Sequence, residues 1–278
     1  MVGESRIDQA FSAHPASSEC ATHKDAFLTP GESRPLPPLD LQSALFLDID
    51  GTLLEIASRP ELVQVPHGLP ALIARLSEQR DGALALISGR PLAQIDRLFQ
   101  PWRGAAAGLH GIERRRADGT LDSTLDDTSE AALDRIRPKL AALAGGESGL
   151  ILEDKGATLA LHYRAVPDRE TEIRAYAEAL QREAGAALRL IAGKMVVEFQ
   201  PRNANKGSAI AAFLAEAPFA GRHPVFLGDD TTDEDGFAEV RSRGGFAIRV
   251  GARSETMADY CLPSVEAVLA WLARTGLP

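Results

Sequence analysis

The stretch ALFLDIDGTLLE, residues 44–55, decides how this chain is read. Its first half is apolar without alternation, the pattern of a strand at 44–49 buried on both faces of a parallel sheet. The run then meets Asp48 and Asp50, one isoleucine apart, with Gly51 and Thr52 directly behind them. Carboxylates at the end of a buried strand raise each other's pKa, and the cost must be offset by something that binds there. In open parallel α/β sheets ligands sit beyond the carboxyl ends of the strands. The position of these two acids therefore marks a site.

Outward from that strand the pattern is βα. An amphipathic segment at 69–80 carries Leu69, Ile73 and Leu76 on one face, ALALIS at 83–88 reads as a second buried strand, GRPLAQIDRLF as a helix entered through Pro91, and AAAGLHG at 105–111 as a third strand. From 112 to 200 the pattern becomes strand, helix (129–144), two strands (150–154, 157–163), helix (169–184) and two strands (187–192, 195–199). These strands alternate: in ATLALHYR, Leu159 and Leu161 face one side and His162 the other. Such a sheet is antiparallel, with one wet face and one face covered by helices. A helix at 207–215, the strand PVFLGDD, the strand FAIRV and a closing helix at 264–274 capped by Ser264 restore the first pattern. The expectation is an α/β chain whose parallel-sheet core, 41–111 and 201–278, is interrupted by an α+β cap at 112–200. Residues 1–40 end in PGESRPLPPLD, lack either period and read as a mobile leader.

With 278 residues and a net charge of −9 the chain is poorly suited to nucleic acid or an anionic membrane, both of which attract basic surfaces. No run approaches the ~18 apolar residues of a spanning helix. Cys20 and Cys261 are the only cysteines, so neither a disulfide framework nor a thiolate metal site is supported. The expected setting is the cytoplasm, and the simplest assembly is a monomer.

Further strand ends carry polar groups: Ser88 closes the second strand, and Asp229, Asp230 and Asp233 follow PVFLG within GDDTTDED, residues 228–235. An all-oxygen set of carboxylates suits Mg2+, and the early glycine excludes an EF-hand loop. The chemistry that needs these types is phosphoryl transfer. A carboxylate at Asp48 attacks phosphorus, and an acid two residues on, Asp50, protonates the leaving alkoxide and then activates water. Ser88 and Lys206, in NKG at 205–207, hold the phosphoryl oxygens.

Taken in order, DIDGT, Ser88, Lys206 and GDDTTDED resemble the motifs of the haloacid dehalogenase superfamily. The resemblance implies a modified Rossmann fold, Mg2+ held by Asp48, the backbone carbonyl of Asp50 and Asp229, and support for the metal or for Lys206 from Asp230 and Asp233. Aspartate rather than threonine at position 50 implies a phosphatase or mutase. LALISGR (84–90), AGLHGIERR (107–115), LEDKGATLALHYR (152–164), GKMVVEFQPRNANKGSAIAAFL (193–214) and PVFLGDDTTDEDGFA (224–238) look more narrowly like the bacterial trehalose-6-phosphate phosphatases. That family implies hydrolysis of trehalose 6-phosphate, with Glu153, Lys155, Lys194 and Glu198 of the cap on the remote glucose ring and Gly89, Arg90, His110 and Gly111 at the seam of cap and core. Read from the residues alone, the charged cap face fits surface salt bridges or a many-hydroxyl ligand equally. On the same footing His110 and His162 read as structural histidines, Trp102 and Trp271 as packing, and ERRRADG at 113–119 as a solvated turn. The rival readings are a phosphatase of another sugar ester, such as sucrose 6-phosphate, and a silent sugar-phosphate binder.

Overall fold

Leu45 and Leu47 of β1 (Ser43–Leu47) pack on one side of a large sheet, Ala44 and Phe46 on the other. In the computed structural model, which describes residues 36–57, 62–146, 149–193, 195–252 and 255–274, that alternation explains the unbroken apolar run: both faces of the strand are roofed. One roof is α1 (Leu69–Glu78), α2 (Leu92–Phe99) and α7 (Val265–Arg274), supplying Leu69, Ile73, Leu76, Phe99 and Trp271; Trp102 is buried in the same cluster. The other is α5 (Lys206–Leu214) and α6 (Glu234–Ser242), with Phe219 stacked on Phe46 and Phe213 tilted against it. Both tryptophans do the packing work expected of them. Ser264 caps α7, its Oγ accepting from the amide of Ala267 at 3.2 Å.

The sheet runs β12-β11-β10-β1-β2-β3-β4-β5, with β2 (Leu84–Ile87), β3 (Ala105–Gly108), β4 (Glu113–Arg115), β5 (Leu121–Ser123), β10 (His223–Gly228), β11 (Phe246–Val250) and β12 (Tyr260–Leu262). Every pair from β12 to β3 is parallel. A second sheet, β6-β7-β9-β8, is antiparallel throughout: β6 (Ile151–Asp154), β7 (Leu159–His162), β8 (Leu188–Gly193) and β9 (Val196–Pro201). Its apolar face packs Leu159, Leu161, Val197 and Phe199 against α3 (Asp127–Gly146) and α4 (Glu170–Ala184). The other face carries Glu153, Ala160 and Glu198, which share one row of cross-strand partners.

Two expectations change. Residues 113–123 were read as the start of the insert, yet β4 and β5 pair antiparallel onto β3 and extend the large sheet. The change of pairing direction reads in sequence like the start of a new module. Within that hairpin Arg114 and Arg115 are buried rather than solvated. Arg114 meets Asp122 at 2.6 Å and Glu216 at 2.8 Å and lies over the Phe213 ring, and Arg115 meets Asp96 at 2.7 Å. Within 113–119 the exposed residues are Ala117, Asp118 and Gly119. The leader expected at 1–40 lies outside the described residues as far as 35, as do Cys20 and Lys194, whereas Leu36 and Leu39 pack against the core.

Candidate active site

Strand ends bring the acids together. β1 pairs in register with β10, Leu47 opposite Leu227, so Asp48 and Asp229 emerge side by side at the carboxyl edge of the sheet. Asp48 is buried, and its amide donates to Leu227 O at 2.9 Å. Carboxylate oxygens of Asp48, Asp229 and Asp233 lie within 4.8 Å of one another. The chain can approach this closely because residue 51 is glycine: Gly51 has φ +84°, and a Cβ there would stand 2.1 Å from Asp229 Oδ2.

A lysine lies within the cluster. Lys206, first residue of α5 behind the Asn205 cap and its reciprocal Ser208 bond, is buried and donates to Asp48 Oδ1 at 2.7 Å and Asp233 Oδ1 at 2.6 Å. Asp233 is thereby filled, because its Oδ2 accepts the amides of Asp229 at 3.0 Å and Asp230 at 2.9 Å. Asp48 Oδ2, also buried, has no hydrogen-bond partner among the described residues. Burial, together with Asp233 and Asp229, holds the Asp48 carboxyl well above its ordinary value against the pull of Lys206. Asp229 is pushed up to about 7 by burial and by Asp233, and Lys206 is held above the usual lysine range by its two acids. Carboxylates this short of counter-charge fit a hard divalent cation. Asp48 and Asp229 offer it oxygens, and Asp233 orders the loop and the lysine. Asp230 is exposed and caps the turn at 231–233, next to Asp233.

Asp50 turns to the rim. Its two oxygens accept from Nε and Nη2 of Arg90, both at 2.6 Å, a bidentate pair that binds the loop after β1 to the loop after β2. Ser88, directly beyond β2, is buried, and its Oγ accepts the amide of Arg90 at 3.1 Å. Gly89 gives His110 its room, since a Cβ there would lie 2.6 Å from His110 Nε2. His110 stands with φ +57° in the turn beyond β3, its amide donating to Ser88 O, while Gly111 O accepts from Thr124 Oγ1 at 3.3 Å.

From the second sheet, Glu198 meets this rim. Its Oε2 lies 3.9 Å from His110 Nε2 and its Oε1 3.4 Å from Lys155 Nζ; Lys155 is 4.0 Å from Glu153, which takes His162 Nε2 at 3.0 Å. Burial pushes His110 down to about 4, so it is neutral near pH 7. Burial would raise Glu198, but Lys155 and His110 outweigh it, and the bond from His162 keeps Glu153 below its usual range. His162 is thus the hydrogen-bond partner of Glu153.

A sequence profile described as trehalose-phosphatase matches residues 46–266, from β1 into α7. The chain belongs to the trehalose-phosphatase family. It is 45% identical over 237 residues to the probable trehalose-phosphate phosphatase of Sinorhizobium fredii, covering 84% of this chain and 88% of that one. With the trehalose-6-phosphate phosphatase of Escherichia coli it shares 42% over 236 residues, 85% and 87% of the two chains. The solved C-terminal domain of the Candida albicans trehalose-6-phosphate phosphatase shares the fold, with a TM-score of 0.71, 22% identity, and coverage of 84% and 92%. Residues 46–266 of this trehalose-phosphatase chain take in strands of both sheets. The one basic group at the acid cluster that sequence reading passed over is Arg249 of β11, which sits inside an ordinary strand pattern, FAIRV, with no motif around it.

Proposed function

We propose that this protein hydrolyses trehalose 6-phosphate to trehalose and phosphate, as a Mg2+-dependent monomer in the cytoplasm. The observation that carries the reading is Asp48: a buried carboxylate at a strand end, one oxygen held by Lys206 and the other without a partner, in a chain of the trehalose-phosphatase family. Asp48 Oδ2 attacks phosphorus and the ester oxygen leaves, giving an aspartyl-phosphate on Asp48. Asp50 supplies the proton to the departing sugar oxygen and then takes one from the water that cleaves the acyl phosphate. Because Asp50 is paired with Arg90, the pair must open before Asp50 can act, and a substrate entering between core and cap is suited to do that. Lys206 and Ser88 hold the phosphoryl oxygens. Asp48, Asp229 and the Asp50 carbonyl would hold Mg2+, which when bound would supply neutralising charge to the transferring group.

The second sheet reads the sugar. Glu153, Lys155 and Glu198 share one face with His110 and Arg90 opposite, a set of donors and acceptors matched to hydroxyls; Lys194 belongs to the same proposed set. Closure over the ester excludes water, which strengthens each of these bonds. No helix among the described residues is long and apolar enough to cross a membrane.

Phosphate release from trehalose 6-phosphate, sucrose 6-phosphate and glucose 6-phosphate, each with Mg2+ and with chelator, tests both halves. Release from the trehalose ester alone, lost with chelator, is expected. Equal release from all three would overturn the assignment of the second sheet to the disaccharide.

A further inference from the structure

Arg249 is a buried guanidinium for which phosphoryl transfer, as described above, has no use. It stands on β11 opposite Gly228 of β10, one residue before Asp229, and is about 6% exposed. Nη2 donates to the backbone carbonyl of Asp229, and Nη1 lies 3.4 Å from Glu234 Oε1, at the first residue of α6. The far oxygen of Glu234 accepts the amide of Met257 at 2.7 Å. One planar fork thus joins the strand end that carries Asp229, the start of the following helix, and the loop that follows β11. Lysine, a point donor, cannot span the same pair of acceptors in one geometry.

The need for such a clamp follows from the loop it holds. Asp229, Asp230 and Asp233 lie within five residues, and Asp229 and Asp233 bring their carboxylates into one buried cluster with Asp48. Their repulsion drives the Asp229 loop away from the cluster. Asp233 resists by accepting two loop amides, and Arg249 resists from the opposite side by holding the Asp229 carbonyl. We infer that Arg249 is a positioning residue that keeps Asp229 in the orientation needed to bind the divalent cation. It touches neither substrate nor cation, and the inference rests on the Mg2+ reading above.

The test is direct Mg2+ titration by calorimetry on the full chain without substrate, for wild type, Arg249→Met and Arg249→Lys, with circular dichroism to establish the fold. Groups that orient metal ligands typically contribute 10–100-fold in affinity. Arg249→Met is expected to weaken Mg2+ binding by about 10-fold or more, and Arg249→Lys to recover part of it. In turnover of a small aryl phosphate the half-saturating Mg2+ rises by the same factor while the KM of the ester stays within about 2-fold, a split that general damage does not give. A folded Arg249→Met with wild-type Mg2+ affinity overturns the inference. Should Arg249→Met fail to fold, Arg249→Lys decides: unchanged affinity overturns it, a several-fold loss supports it. Wild-type protein that takes up no Mg2+ overturns the metal reading itself, and this inference with it, a result distinct from uptake that is indifferent to Arg249.

Discussion

At Asp48 burial and charge act against each other. Two buried carboxylates and one half-buried one lose water together, and Lys206 bonds both Asp48 and Asp233. Lys206→Met therefore leaves two buried acids without counter-charge and is expected to lower stability by about 3–5 kcal/mol, read by urea unfolding near pH 7 in chelator. Unchanged stability there would mean that the acids are solvated. Asp229 makes a pH prediction whose sign can be worked out. Its folded value is raised to about 7, so the metal-free protein holds that proton where the unfolded chain has lost it. The stability it contributes is present below the ordinary aspartate value and is lost as pH rises through about 7. A cation must displace the same proton. Mg2+ should thus raise the melting temperature more at pH 8 than at pH 6, a comparison that thermal scans with and without chelator make directly. Gly51→Ala tests the close approach of the loops, since its Cβ would stand on Asp229 Oδ2, and loss of Mg2+ binding is expected.

The antiparallel sheet acts as a unit at the next scale. Its apolar face is spent on α3 and α4, which frees the opposite face for Glu153, Lys155 and Glu198. Alternation made those strands and their two faces legible in the sequence, because a period of two assigns a side chain to a face without any tertiary information. It did not show that His162 bonds Glu153, nor that β4 and β5 continue the large sheet, since both depend on which strand lies next to which. The buried Arg114 and Arg115 were misread for the same reason: their carboxylates come from positions 96, 122 and 216. If this face reads the sugar, Lys155→Ala and Glu198→Ala should lower kcat/KM for trehalose 6-phosphate by about 10-fold or more and change that for a small aryl phosphate little, as expected where a buried charged partner is removed from binding. Equal losses on both esters would assign these residues to the fold instead.

For the molecule as a whole, the acid cluster exists because β1 and β10 end together and the chain returns to β10 only after the second sheet is complete. Sequence motifs single out Asp48, Asp229, Asp233 and Lys206, and the fold brings these four together. The distribution of work among them needed coordinates: Asp233 holding Lys206, Asp230 at the surface, Asp50 on Arg90, and Arg249 behind Asp229. None of these follows from spacing, because each depends on which side chains the fold brings together across separate elements. The chemistry assigned to Asp48 can be isolated by making the second step fail. An aryl phosphate has so good a leaving group that Asp50 is dispensable for attack, while water still needs a base. Asp50→Asn, mixed with a radiolabelled aryl phosphate and Mg2+ and quenched in acid, should carry close to one label per chain on the peptide containing Asp48. Release of the phenol with no label on the protein, or a label on a peptide without Asp48, would contradict the account.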